Sequence, residues 1–176
     1  MLAKALTVEQ RAARVRLLVL DVDGVLTDGR LYYGPQGEAM KVFDVRDGHG
    51  IKMLMKNGVE VALLSARSSE IVSARARELG VVRVLQGRSD KASALAALLA
   101  DAEVTSDECG YIGDDLPDLP AMRAAGFAAT VADACDAAKS AAHWIAPQDG
   151  GRGAVRALAE FILRAKGADP ASMVRG

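Results

Sequence analysis

The fold of this chain is decided by the stretch Leu17-Leu18-Val19-Leu20-Asp21-Val22-Asp23-Gly24-Val25-Leu26-Thr27. Four consecutive apolar residues followed by turn-forming residues are typical of a buried strand in a parallel sheet. Ligands of open α/β sheets bind beyond the carboxyl ends of the strands, so Asp21 and Asp23 are predicted to lie where chemistry takes place. An acidic surface turn after a strand would have the same pattern. Two neighbouring carboxylates repel each other, and a bound cation would remove that repulsion.

Further apolar runs along the chain alternate with stretches that have the pattern of helices. Strands are predicted at 60–64, 81–85, 109–112, 127–129 and 144–145, and helices at 3–14, 51–57, 70–79, 91–100, 133–142 and 154–166, with another helix ending near residue 125. This alternation predicts an α/β fold with a doubly wound, mostly parallel sheet. A Gly/Pro-rich turn within residues 29–43 predicts a β-hairpin flap beside the acidic strand end.

The composition bounds the class of protein. The 176 residues are predicted to form a single domain, 1–176, because no second block of sequence is large enough to be a cap domain. A net charge of -1 and an aromatic content of 4% give no support for binding nucleic acid. No apolar run approaches the roughly 20 residues of a membrane helix, and the N-terminus lacks the pattern of a signal peptide. Cys109 and Cys135 lack metal-ligand spacing, which predicts reduced thiols and a cytoplasmic protein.

Polar side chains follow several of the predicted strands, and one crevice at the edge of the sheet can gather them. These residues are Asp21, Asp23, Ser65, Lys91, Asp114, Asp115 and Asp118. So many carboxylates indicate a hard cation, and Mg²⁺ suits such a site. Lys91 lies at the start of a predicted helix, where the helix dipole disfavours positive charge; it is either a solvated surface lysine or the partner of an anion. Ser65 taken alone is more typical of a helix cap than of a phosphate ligand.

The order of these residues closely resembles the haloacid dehalogenase superfamily of phosphatases. The DxDGxxT motif of that superfamily corresponds to residues 21–27, the hydroxyl motif to Ser65, the lysine motif to Lys91 and the acidic motif to residues 113–118. Within the superfamily, the chain resembles a capless branch, the 3-deoxy-D-manno-octulosonate (KDO) 8-phosphate phosphatases. The local matches are VFDVRDGHGI at 42–51, SAR at 65–67, Arg75 and GGRGAVR at 150–156.

The resemblance implies a Rossmann-like core without a cap domain and a reaction that releases KDO and phosphate in lipopolysaccharide precursor synthesis. Asp21 is then the nucleophile that forms an aspartyl-phosphate. Asp23 protonates the leaving sugar oxygen and later deprotonates the attacking water. Ser65 and Lys91 bind the phosphoryl oxygens.

The resemblance also implies a set of ligands for Mg²⁺. The cation would be bound by the Asp21 carboxylate, the backbone carbonyl of Asp23 and Asp114. Asp115 and Asp118 would orient these ligands or Lys91.

Substrate contacts carried over from the family involve more of the chain. Arg67 and Arg75 are expected to bind the sugar carboxylate. Hydroxyl contacts are expected from Lys52 and from the loop Asp44-Val45-Arg46-Asp47-Gly48, with Lys91 on the phosphate. The family also implies a homotetramer, in which the hairpin of a neighbour and its C-terminal tail, residues 167–176, close the open site.

Two alternatives remain open on the sequence alone. One is a phosphatase of similar fold that acts on another acidic nine-carbon sugar phosphate of the KDN or sialic-acid type, or else a regulatory domain of nucleotide-sugar synthesis. The other is a non-catalytic phospho-acceptor domain, which also combines aspartates, a hydroxyl and a lysine on a doubly wound sheet. The second carboxylate of the Asp21-x-Asp23 pair argues against the phospho-acceptor, because it serves to hydrolyse the phosphoenzyme.

Overall fold

Strands and helices alternate along residues 5–174, the part of the chain that the computed structural model describes. The strands are β1 Leu17–Leu20, β2 Tyr32–Gly34, β3 Gly37–Met40, β4 Glu60–Leu64, β5 Arg83–Leu85, β6 Cys109–Ile112, β7 Phe127–Thr130 and β8 Trp144–Ile145. The helices are α1 Val8–Arg14, α2 Val45–Lys56, α3 Glu70–Leu79, α4 Lys91–Asp101, α5 Leu119–Ala124, α6 Asp136–Ala141 and α7 Ala154–Ala165. Short 3-10 segments span Ser106–Glu108, Leu116–Asp118 and Pro170–Val174.

Six parallel strands form the main sheet in the order β5-β4-β1-β6-β7-β8. Strand β1 lies inside this sheet and is fully buried, as its four apolar residues require. Leu20 at its end pairs with Leu63 of β4 and with Ile112 of β6. The residues that follow β1, β4 and β6 therefore meet at one edge. The predicted α/β fold with a doubly wound, mostly parallel sheet is confirmed.

The helices cover the sheet in two groups. Helix α7 packs against α1 and α2, and α2 also contacts α3. Helices α4, α5 and α6 form a second packed series. Long apolar side chains in the core, with Tyr111 and Phe127 among them, are fully buried between these layers. None of the helices in residues 5–174 is both long and apolar enough to cross a bilayer.

A separate antiparallel hairpin, β2 and β3, stands between β1 and α2. It confirms the predicted flap within residues 29–43. Within the described residues nothing larger is inserted after β1, and this agrees with the expected capless core.

Several predicted boundaries were wrong, most clearly at α2. This helix begins at Val45 rather than at residue 51, and Asp44 is its N-cap residue. Two glycines made this segment look like a loop, but Gly50 serves the packing of α2 on α7. A Cβ at Gly50 would lie 2.9 Å from the Cα of Arg156. Glycine thus permits a close approach of two helices.

The ends of the chain differ from expectation as well. Helix α1 begins at Val8 behind a Thr7 cap rather than at residue 3, and residues 1–4 lie outside the described part. Strand β5 begins at Arg83 rather than at residue 81. The segment Pro170–Val174 of the predicted tail forms a 3-10 turn whose Pro170 is buried. Residues 175 and 176 of that tail lie outside the described residues.

Candidate active site

The carboxyl ends of β1, β4 and β6 open into a cavity of about 350 Å³. Side chains from three strand ends, the start of α4 and the turn after β6 meet there. The lining residues are Asp21, Asp23, Gly29, Ser65, Ala66, Arg67, Lys91, Asp114, Asp115, Pro117 and Asp118. The residues predicted to be catalytic and those predicted to hold the metal therefore share one cavity.

The loop after β1 places Asp21 and leaves room for Asp114. The amide of Asp21 donates to the carbonyl of Ile112 at 3.0 Å, which continues the pairing of β1 with β6. Gly24 adopts a φ of +93°, and a Cβ at this position would lie 2.1 Å from Oδ2 of Asp114. Only glycine combines that backbone angle with that approach. The hydroxyl of Thr27 closes the loop by accepting from the amide of Gly24 at 3.3 Å.

A second loop, Gly150-Gly151-Arg152-Gly153, packs against this first loop. The amide of Gly151 donates to the carbonyl of Val25 at 2.9 Å. A Cβ at Gly150 would lie 1.8 Å from the carbonyl oxygen of Gly24. The predicted GGRG motif thus supports the backbone that carries the two strand-end carboxylates.

Three carboxylates form a cluster, and the ammonium group of Lys91 contacts two of them. Oxygens of Asp21, Asp114 and Asp118 lie within 4.8 Å of one another. The Nζ of Lys91 lies 2.8 Å from Oδ1 of Asp21 and 2.5 Å from Oδ1 of Asp118, and the residue is only 4% exposed. Lys91 is therefore not a solvated surface lysine. One ammonium group beside a cluster of three carboxylates leaves an excess of negative charge that a divalent cation fits.

The pKa values of this cluster show the same charge imbalance. Burial, together with the nearby charge of Asp118, raises the pKa of Asp21 to about 6. Burial and the charges of Asp21 and Asp118 raise the pKa of Asp114 to about 8. Burial disfavours the charged form of Lys91, but the two carboxylates outweigh it and raise its pKa on balance. The oxygen donors of Asp21 and Asp114 therefore suit Mg²⁺, whose charge favours their ionised forms.

Asp118 acts mainly as an acceptor of hydrogen bonds. Besides Lys91, it accepts from the phenol of Tyr111 at 2.6 Å and from the amides of Asp114 and Asp115 at 3.1 and 3.2 Å. These contacts agree with the expectation that it orients the acidic loop and Lys91. The contribution of Tyr111 was missed by sequence reasoning, because a tyrosine inside an apolar strand gives no specific signal.

Asp23 has different surroundings from Asp21, although only one residue separates them. Its Oδ1 contacts the ammonium group of Lys41, which directly follows β3. Lys41 also lies 2.9 Å from Oε1 of Glu38. Burial opposes the charge of Lys41, yet its hydrogen bonds to Asp23 and Glu38 raise its pKa on balance. Sequence reasoning missed Lys41 and Glu38, since nothing in their spacing points to the acidic strand end.

Ser65 and Arg67 reach the cavity from the end of β4. Ser65 is 3% exposed, and its hydroxyl accepts from the amide of Arg67 at 3.1 Å. The guanidinium of Arg67 donates to the phenol of Tyr33 on the hairpin at 3.2 Å. Ser69 was predicted as a capping residue, but its hydroxyl donates to Glu38 of the hairpin instead.

The other predicted sugar contacts lie outside this cavity. Arg75 lies over the ring of Phe43 at 5.7 Å and pairs with Glu78 at 2.8 Å. Together with Asp44, Asp47 and Gly48 it lines a separate small pocket.

The remaining residues of this predicted set have other surroundings. Arg46 pairs with Asp44 at 2.7 Å, Val45 is 79% exposed, and Lys52 is exposed. Asp47 accepts from the amides of Gly153 and Arg156 at the start of α7. The structure therefore gathers Arg75 with Asp44, Asp47 and Gly48, but none of these residues lines the cavity of Asp21.

The fold and the acidic cavity define the class of protein. The sequence profile of the haloacid dehalogenase-like hydrolases matches residues 70–158, which run from α3 into α7. The match includes Lys91 and the acidic turn at 113–118, and the DxDGxxT motif precedes it. The chain is thus a hydrolase of the haloacid dehalogenase-like class.

Curated relatives narrow this class to one family. The 3-deoxy-D-manno-octulosonate 8-phosphate phosphatase KdsC of Yersinia pestis is 45% identical over 157 residues, 89% of this chain and 84% of the relative. The corresponding phosphatase of Haemophilus influenzae is 44% identical over 159 residues, 90% of this chain and 88% of the relative. The chain belongs to the family of 3-deoxy-D-manno-octulosonate 8-phosphate phosphatases.

Solved structures agree with this assignment. The phosphatase of Moraxella catarrhalis, in complex with a magnesium ion, a phosphate ion and KDO, matches with a TM-score of 0.91 at 40% identity, covering 94% of this chain and 95% of that chain. The cobalt-bound phosphatase of Haemophilus influenzae matches with a TM-score of 0.90 at 42% identity, covering 95% and 96%. These matches favour a KDO 8-phosphate phosphatase over both alternatives left open by the sequence.

Proposed function

We propose that this chain is a Mg²⁺-dependent phosphomonoesterase that hydrolyses 3-deoxy-D-manno-octulosonate 8-phosphate to KDO and phosphate in lipopolysaccharide precursor synthesis. The observation that carries this proposal is the separation of two carboxylates at the end of β1. Asp21 lies in the acidic cluster with Lys91, whereas Asp23 contacts Lys41 outside that cluster. Adjacent residues of one motif are thereby suited to different tasks. The identity with relatives of that name supports the choice of substrate.

The first step transfers the phosphoryl group to the enzyme. A carboxylate oxygen of Asp21 attacks phosphorus, the bond from phosphorus to the sugar oxygen breaks, and an aspartyl-phosphate forms. Asp23 gives a proton to the departing sugar oxygen, which is a poor leaving group without one. Lys91 and the hydroxyl of Ser65 bind phosphoryl oxygens and stabilise their charge.

The second step returns the enzyme to its starting state. Asp23, now ionised, takes a proton from a water molecule, and the water oxygen attacks phosphorus. The bond from phosphorus to Asp21 breaks, and inorganic phosphate is released. One residue thus serves as acid in the first step and as base in the second.

The metal ligands are proposed to be the carboxylates of Asp21 and Asp114 and the backbone carbonyl of Asp23. When bound, Mg²⁺ offsets the negative charge of the carboxylates and of the phosphoryl group. Asp115 and Asp118 hold the acidic loop and Lys91 in place through the hydrogen bonds described above. Removal of the cation is expected to abolish turnover, because nothing then offsets the repulsion between the Asp21 carboxylate and the phosphate.

The sugar is proposed to lie toward Arg67, whose guanidinium suits a carboxylate. Arg75, Lys52 and residues 44–48 lie outside the cavity of their own chain. We therefore propose that they contact the sugar only in an assembled homotetramer. The hairpin and the start of α2 support association, because they expose a set of large apolar side chains: Leu31, Tyr33, Met40, Val42 and Val45.

In that assembly the hairpin and the C-terminal segment of a neighbour close the open site over the single domain 1–176. Sedimentation of the intact chain at several concentrations tests this proposal. The free thiols of Cys109 and Cys135 agree with a reaction that takes place in the reducing cytoplasm.

A panel of substrates tests the proposed function. Phosphate release is measured with KDO 8-phosphate, with a nine-carbon sialic-acid-type 9-phosphate and with 4-nitrophenyl phosphate, each with Mg²⁺ and with EDTA. We expect the highest kcat/KM for the KDO ester and no turnover with EDTA. A preference for the nine-carbon ester would contradict the substrate, and a stable phosphoprotein without turnover would contradict the enzyme.

A further inference from the structure

We propose that Lys41 is a positioning residue that fixes the carboxylate of Asp23 for proton transfer, and that the hairpin thereby controls both chemical steps. This inference rests on the proposed function, because it assigns Asp23 as acid and base. It starts from Lys41, the residue next after β3 of the hairpin, whose side chain is enclosed. Only 2% of the Lys41 side chain is exposed.

An ammonium group in such a position is costly unless carboxylates neutralise it. Lys41 has two carboxylate partners, Asp23 after β1 and Glu38 within β3. Glu38 is in turn held by the hydroxyl of Ser69 at the start of α3, and it lies 3.8 Å from the guanidinium of Arg67. The hairpin is therefore joined to the sheet edge by charged side chains rather than by an apolar seam.

Lys41 contacts one oxygen of Asp23 and thereby restrains the orientation of the carboxylate. The contact engages Oδ1, and Asp23 also lines the catalytic cavity. A lysine ammonium has three donors, so Lys41 can serve Asp23 and Glu38 at once. A carboxylate fixed through one oxygen presents the other in a defined direction. Misplacing a catalytic group by about 1 Å can cost about a hundredfold in rate.

The two substrates differ in whether their leaving group needs a proton from Asp23, and this difference provides a test. A sugar oxygen needs a proton to leave, whereas 4-nitrophenolate leaves without one. Attack of water on the aspartyl-phosphate needs Asp23 with every substrate. A defect in the orientation of Asp23 therefore slows both steps with the sugar ester but only the second step with the aryl ester.

The experiment compares Lys41→Met with the wild-type protein in rapid-mixing assays with Mg²⁺. With KDO 8-phosphate we expect kcat to fall about a hundredfold, with less phosphoenzyme than the aryl ester accumulates, because formation of the phosphoenzyme is slowed as well. With 4-nitrophenyl phosphate we expect a burst of one equivalent of nitrophenolate, followed by slow turnover, with the label from a ³²P-ester retained on the protein. Lys41→Arg should recover part of the rate, since it keeps the positive charge.

Control variants separate this role from a structural one. Lys56→Met removes an exposed lysine at the end of α2 and is expected to leave both reactions unchanged. Lys41→Met alone leaves the carboxylate of Glu38 without its ammonium partner. The double variant Glu38→Gln with Lys41→Met also removes that carboxylate, so it provides the same test if the single variant folds poorly. It should show the same burst.

Two outcomes would overturn the inference: wild-type kinetics for Lys41→Met, or equal losses with both esters and no burst. Failure of the proposed function looks different. It would appear in the wild-type protein itself, as an absence of Mg²⁺-dependent phosphate release or of labelling on Asp21.

Discussion

Asp21 and Asp47 are both buried carboxylates, but they are stabilised in opposite ways. Asp47 accepts from the amides of Gly153 and Arg156 at 3.2 and 2.8 Å, at the start of α7 where the helix dipole favours negative charge. Burial raises the pKa of Asp47, and these two hydrogen bonds oppose the rise. Asp21 instead shares the single ammonium of Lys91 with Asp118 and faces Asp114.

The difference separates a carboxylate whose charge the backbone stabilises from one whose charge calls for a bound cation. The protein backbone satisfies Asp47 without any further group. The cluster around Asp21 carries more negative charge than its own cation can balance. Burial alone therefore does not identify a functional carboxylate, whereas burial with an unbalanced charge does.

The largest expected effect is that of Asp21→Asn. Without the carboxylate nucleophile no aspartyl-phosphate forms, so kcat should fall by about four orders of magnitude or more. The fold should survive, because Asp21 follows the strand rather than packing in the core. Phosphate release and a thermal melt measure the two properties. Substantial hydrolysis by this variant in the presence of Mg²⁺ would contradict the assigned nucleophile.

The second-largest expected effect is that of Lys91→Met, and Lys52→Met is its comparison. Lys91 belongs to the cluster around Asp21, whereas Lys52 lies on α2, the helix that carries Asp47. Lys91→Met leaves Asp21 and Asp118 without their cation, so we expect a loss of about 3 kcal/mol or more in the free energy of unfolding. We also expect kcat to fall by about 10² to 10³. Exposed Lys52→Met should leave stability unchanged and affect only the KM of the sugar ester. Urea unfolding and steady-state kinetics measure both, and equal stability for the two variants would contradict the contrast.

Arg75→Ala tests whether the second region serves the substrate at all. We expect kcat/KM for KDO 8-phosphate to fall about tenfold, the value of a charge-assisted hydrogen bond, with no change for 4-nitrophenyl phosphate. Arg77→Ala, an exposed arginine on the same helix, is the matched control. If Arg75→Ala lowers both activities equally, its pairing with Glu78 and its stacking on Phe43 are its only roles.

The smallest expected effect is on the pH dependence of stability, which follows from the excess negative charge of the cluster around Asp21. In the metal-free protein, Asp21 and Asp114 have pKa values of about 6 and about 8, above the ordinary value of 3.8. The folded state then holds protons that the unfolded state has lost, so stability falls as the pH rises from about 4 to about 8. Mg²⁺ removes this penalty.

We therefore expect saturating Mg²⁺ to raise Tm more at pH 8 than at pH 5.5, by roughly 5 to 10 °C at the higher pH. Differential scanning calorimetry against an EDTA control measures this shift. A matching concentration of NaCl controls for ionic strength. A shift that is independent of pH would mean that protons and Mg²⁺ do not compete for this cluster.

Much of the catalytic edge could be predicted because it depends on strand ends. Asp21, Ser65 and the 113–118 turn each follow an apolar strand, and a parallel sheet brings the ends of these strands to one edge. Lys41 and Tyr111 could not be predicted, because their partners are set by the path of a hairpin and by the packing of a core. The predicted start of α2 was wrong because the low helix propensity of Gly50 suggested a loop. In the structure this glycine lies within the helix and allows α7 to approach closely.

The contact between the loops at residues 24–27 and 150–153 has a consequence for synthesis. The segment that carries Asp21 leaves the ribosome before the glycines that support it, which follow β8. Lys91 and Asp114 also follow Asp21 along the chain by many residues. A nascent chain therefore holds Asp21 before it has Lys91, the acidic partners or the supporting loop. The complete cluster forms only after the loop at residues 150–153 has been synthesised and can pack against the loop at residues 24–27.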